Sequence, residues 1–200
     1  MRDLFTLAST LMLLCICSLP NSWSETKPAD FRGATWGMSP DEVKSTETGT
    51  PFIEGKASEP KMALGYKDII DTLSCHVAYT LFHGKLVSGM YIIKEEHTNQ
   101  TDYLDDFKRL WVALSEKYGK PVIDRTNWKN ELYKNDPSHW GTAVAVGHMT
   151  KGSKWETPNT DIILSLHGDN FKIGLLITYT SKEFKYLDEE LKKKEVKKKL

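Results

Sequence analysis

An excess of charge of either sign is missing from this sequence. Lys and Arg number 27, and so do Asp and Glu. No global field exists to gather nucleic acid or to hold the whole molecule on an anionic membrane. Cysteine is scarce. Of three cysteines, Cys15 and Cys17 lie in the first two dozen residues and only Cys75 follows. One cysteine cannot form an intrachain disulfide, so stability beyond residue 24 rests on an apolar core. No later stretch approaches the roughly 20 apolar residues of a membrane helix, so no transmembrane segment is expected there. The glycine loops that cradle phosphates, G-x-x-x-x-G-K-[ST] and G-x-G-x-x-G, do not occur. Neither does the G-x-S-x-G elbow of many hydrolases. The six histidines never fall at His-x-x-x-His spacing, so no metal site and no cofactor is expected.

The opening segment is what stands out instead. Residues 1–24 read as a signal peptide. Arg2 supplies a positive start, Leu4 to Leu19 an apolar stretch, and Pro20-Asn21 its end. Ser22 and Ser24 are the small residues a signal peptidase accepts before a cut at Glu25. Leu14 before Cys15 and Ile16 before Cys17 depart from the small residue that precedes an acylated cysteine, which speaks against a lipid anchor. The expected product is exported, periplasmic or extracellular.

Residues 25–181 read as an α+β domain. Ser39-Pro40-Asp41-Glu42 is a capping box with proline at the first helical position, and it predicts a short helix from Pro40 to Thr46. A loop punctuated by Gly49, Pro51, Gly55 and Pro60 follows. Alternation predicts strands over Leu64 to Ile70, Cys75 to Phe82 and Leu86 to Ile93, with His83-Gly84 as a hairpin turn. Leu104, Phe107, Leu110, Trp111, Leu114 and Tyr118 share one helical face and predict a helix from Asp102 to Tyr118. Further strands are expected at Val122 to Arg125, Trp128 to Tyr133, Thr142 to Met149, Thr160 to His167 and Phe171 to Tyr179. Both helices end at Gly-x-Pro, which suggests two tandem helix-then-antiparallel-sheet units, about 31–97 and 98–181. A basic, Lys-rich helix is expected over 182–200.

Phe31-Arg32-Gly33, Trp36-Gly37-Met38-Ser39 and Glu42-Val43, followed by Lys117-Tyr118-Gly119-Lys120-Pro121, resemble a group of uncharacterised exported bacterial proteins. In that group an FRG-x-x-WG-x-S-x-EEV start precedes a sheet and a KYG-x-P helix end. Trp140-Gly141 and the Trp155 to Ile162 stretch look like later elements of it. The Gly37 to Val43 segment with its Gly-x-Pro is also similar to the helix element of outer-membrane assembly lipoproteins of the SmpA/BamE kind, though without their acylated cysteine. It is similar as well to the helix-plus-sheet units of β-lactamase inhibitor protein. These resemblances imply an envelope location and an architecture, and carry over no activity.

Several groups are candidates for chemistry. The histidines read as structural or surface groups, and Cys75, on a face with Val77, Tyr79 and Leu81, as a buried thiol. Glu95, Glu96, Asp102, Asp105 and Asp106 suit the positive start of a helix. Trp128, Tyr133, His139, Trp140 and Trp155 lie in a polar stretch. Such rings either stack on a glycan or anchor a protein partner, or they close an end of the sheet core. Trp128, Tyr133, Trp140 and Trp155 are therefore the candidate binding residues. Lys192, Lys193, Lys194, Lys197, Lys198 and Lys199 form a basic tail that either meets an anionic surface or stays solvated. The expectation is a non-enzymatic binding module for an envelope protein or glycan, not for nucleic acid. An exported enzyme with an unrecognised site is the alternative.

Overall fold

The structure is a computed structural model. It describes residues 28–55, 60–184, 186, 187, 190, 193 and 197. The expected signal peptide lies outside the described residues. So do Lys192, Lys194, Lys198 and Lys199.

The first helix, α1, is Pro40–Thr46, and the capping box at its start is complete. Ser39 N donates to Glu42 Oε2 at 2.8 Å while Glu42 N donates back to Ser39 Oγ. Four strands follow: β1 (Thr50–Glu54), β2 (Lys61–Ile70), β3 (Leu73–Phe82) and β4 (Lys85–Ile93). Helix α2, Asp102–Tyr118, has the limits its spacing predicts, and buries Phe107, Leu110 and Leu114. Then come β5 (Ile123–Trp128), a 3-10 turn (Pro137–His139), α3 (Trp140–Ala145), β6 (Met149–Glu156), β7 (Thr160–Asp169) and β8 (Lys172–Ser181).

Two tandem units are not what these elements build. The eight strands form one antiparallel sheet in the order β1-β2-β3-β4-β8-β7-β6-β5. The last strand turns back to the middle of the molecule and pairs with β4, Tyr91 opposite Ile177. That pairing removes the boundary at residue 97. The helices share one sheet face, and a single apolar core runs from Met62 and Tyr66 through Tyr79 and Ile177 to Trp155.

Three local expectations are also corrected. The loop around Pro51 contains an edge strand, β1, whose register shifts between Pro51 and Ile53. The first half of the Thr142 to Met149 stretch, which alternates like a strand, belongs to α3. Burial of Ala143, Val144 and Ala145 overrides the local pattern, and Gly141 lets the helix touch the Gln100–Thr101 backbone, where a Cβ would stand 2.5 Å away. The strand of that region is β6, seven residues later. Finally, the Lys-rich helix does not begin at about 182: Lys182 to Phe184 form a turn that buries Phe184, and most of the lysine-rich stretch beyond it lies outside the described residues.

The motif that carries the resemblance is a clamp for this sheet. Phe31 and Ala34 close a tight turn, with Ala34 N donating to Phe31 O at 2.9 Å. The Phe31 ring lies against Gly89 and packs edge-on to Tyr79 and Tyr91, with ring centres 5.2 Å apart in each case. Arg32 Nε donates to Glu47 Oε1 at 2.6 Å, and its Nη2 stands 2.7 Å from Asp68. Tyr79 also donates to Glu47, whose side chain is fully buried. Trp36 Nε1 donates to Thr160 Oγ1 at 2.8 Å, tying the first segment to β7.

Candidate functional site

Helix α2 covers β6, β7 and β8 but stops short of β5. The inner face of that edge strand, Asp124, Thr126 and Trp128, is left overhanging, because its alternation sets these residues on the side where Met149, Lys151 and Ser153 of β6 point. The result is a groove of about 270 Å³ between helix and sheet edge. Phe107, Trp111 and Trp140 supply its aromatic wall, and Asp105, Lys108, Asp124 and Lys151 its polar rim.

These side chains are held in place. Trp140 meets Trp128 edge-on, with ring centres 6.0 Å apart, and its Nε1 donates to Lys134 O at 3.2 Å. Lys151 Nζ lies 5.5 Å from the centre of the Phe107 ring, close enough for a cation–π contact, and donates to Thr126 Oγ1 at 3.3 Å. Asp124 Oδ1 accepts from Ser153 Oγ at 2.8 Å. Trp111 packs on Trp155, and its indole N–H has no partner among the described residues.

The four aromatic candidates thus separate. Trp140 lines the groove, and Trp128 packs against Trp140. Tyr133 stands beside it, stacked between His139 and His148 with ring centres 5.6 and 5.8 Å away. Trp155 does not join them. It is 1% exposed, and its N–H donates to Gly119 O at 2.9 Å, so it is a core residue behind Trp111. Of the lysine tail, Lys193 and Lys197 are described and exposed. Sequence reasoning assigned Phe107 and Trp111 wholly to the core and did not see Asp124 or Lys151. One signal was available: Trp111 lies at the border of the apolar stripe of α2 rather than at its centre.

Other groups have structural employment. Cys75 is buried, and desolvation pushes its thiol up to about 11. His97 Nε2 sits 2.5 Å from Asp106, a buried carboxylate that Arg109 also approaches at 3.6 Å, so the pair fastens the β4–α2 connection to the helix. Asp136 caps the 3-10 turn. Ser138 first and His139 second hold its carboxyl below the usual range. Among the described residues no three His, Cys, Asp or Glu side chains gather as a metal site.

Fold and groove together define an α+β protein with one antiparallel sheet, helices on one face only, and an aromatic cleft at the sheet's β5 end. Compared with known proteins, the chain matches no family model, no curated protein and no solved structure.

Proposed function

We propose that this protein is an exported, non-enzymatic binding module of the cell envelope, and that the groove between α2 and β5 holds a glycan. The observation that carries the reading is the meeting of Phe107, Trp111 and Trp140 with Asp124, Lys151 and Lys108 around one cleft. A pyranose has C–H faces that pack on the negative face of an aromatic ring, and hydroxyls at its rim that need donors and acceptors. The cleft offers both, at the size of one or two sugar rings. Export rests on the leader and on the resemblance of the Phe31–Val43 segment to exported proteins; kinship with that group is part of the same proposal.

The test is a screen of purified protein against neutral and acidic envelope glycans, read by calorimetry and by tryptophan fluorescence. Trp140→Ala and Asp124→Ala each remove a wall or a rim group, and circular dichroism and thermal melts check that each variant is folded. A bound glycan whose affinity drops at least about tenfold in both variants, as lost contacts of about 1.4 kcal/mol or more require, supports the reading. Equal binding by folded variants, or a screen without a ligand, overturns it. The competing reading, an exported hydrolase, predicts turnover of the bound glycan, which a non-enzymatic module leaves unchanged.

A further inference from the structure

The face of the sheet opposite the helices has no cover among the described residues. Register defines what it presents. One row runs Lys67, His76, Ile92, Leu176, Ser165 across β2, β3, β4, β8 and β7. The next runs Ala78, Met90, Thr178, Ile163. Every one of these side chains is at least partly exposed, and Ile163 is 41% exposed. A sheet face that met only water would alternate to charged and strongly polar residues. Here the centre is aliphatic and hydroxylic instead.

The charges around that centre are unequal. At the acidic end, Asp161 and Glu156 are already held by Lys154 and Lys182. At the opposite end, Lys67 and Lys94 have no carboxylate within ion-pair distance among the described residues. They flank a depression of about 490 Å³ that also takes in Ser74, His76 and Thr50. Asp68 also lines the depression but is paired with Arg32, and Glu95 accepts from the backbone N–H of Ser74. His76 is held below its ordinary value by burial first and then by Lys94 and Lys67, which agrees with a positive potential over the depression. Phe52 leans over from β1 and packs on His76, with ring centres 4.4 Å apart.

We infer that the open sheet face docks an acidic polypeptide segment of a partner protein. An apolar side chain of the segment seats on Met90, Ile92 and Leu176, and carboxylates beside it meet Lys67 and Lys94. Charge complementarity selects an acidic partner over a basic one, and the aliphatic centre selects a polypeptide over a soluble polyanion. The surface lies on the other side of the sheet from the groove, so the two can be occupied independently.

Random peptides displayed on phage and selected on the wild-type protein provide the test. The expected pool is enriched in Asp and Glu beside Leu, Ile, Met or Phe. Peptides synthesised from it should lose at least tenfold in affinity for a Lys67→Glu, Lys94→Glu variant, and again for Ile92→Ser. They should bind more weakly as salt rises, and bind Trp140→Ala as well as wild type. Both charged positions are exposed, so folding is preserved and circular dichroism can check it. Three results would overturn the inference: a pool without acidic enrichment, peptides indifferent to these variants, or a purified protein whose open face is buried against a second copy. The glycan screen is unaffected by any of them, so this surface and the groove stand or fall separately.

Discussion

Phe31 illustrates what a single residue does in this molecule. Its ring fills the space above Gly89, where an added Cβ would stand 2.1 Å from Phe31 Cδ1. Phe31→Ala is expected to cost about 3–5 kcal/mol, the usual range for emptying a packed aromatic site. Gly89→Ala should cost about 1–3 kcal/mol, by overpacking. The double variant should cost much less than the two together, because removing the ring makes room for the methyl group. Denaturant melts of the three proteins check this, and additive losses would show that the contact is not what limits Gly89. Phe31 was legible as part of a motif, but its role was not. Its partners Gly89, Tyr79, Tyr91 and Tyr179 lie far along the chain, and no local pattern announces them. The same holds for the groove. Trp128 and Trp140 were visible as aromatics in a polar stretch, yet nothing local separated them from Trp155, which faces the core.

Elements with their own start and stop signals were the ones the sequence disclosed. The α1 capping box and the α2 stripe end where their residues say, because those signals act within a few positions. Elements defined by distant neighbours were hidden. Residues 142–146, Thr-Ala-Val-Ala-Val, have strand propensity, and tertiary contact makes most of them helix. The join between the Phe31–Ala34 turn and the sheet carries a pH dependence. The backbone N–H of Ile69 and then the Arg32 guanidinium hold the Asp68 carboxyl below its ordinary value of 3.8. A carboxyl lowered in the folded state contributes stability that is present above the unfolded value and lost as pH falls through the folded one. Wild type should therefore melt above Asp68→Asn near neutrality, and the gap should close as pH drops below about 4. Thermal melts across that range decide the matter. A gap that persists in acid would mean the loss is steric.

At the scale of the whole molecule, the two helix-and-strand segments fuse through one seam, β4 against β8. The repeating helix, strands and Gly-x-Pro punctuation implied two units. It could not reveal that the last strand returns to the middle, since pairing between distant strands leaves no trace in spacing. A chain ending before β8 would keep β4 and β7 as bare edges. Removing residues 171–200 is expected to give a protein that associates with rising concentration, measured by light scattering, rather than a smaller native monomer. A monomeric product with native circular dichroism would refute this and restore the idea of independent units.

The seam also sets an order of events in time. Tyr91 waits for Ile177, so the first four strands can pair locally but cannot be completed until nearly the whole chain is present. Closure between such distant partners is the slow part of folding a sheet. A polypeptide arranged this way stays open-ended while it is being made, and becomes one object only when its final strand arrives.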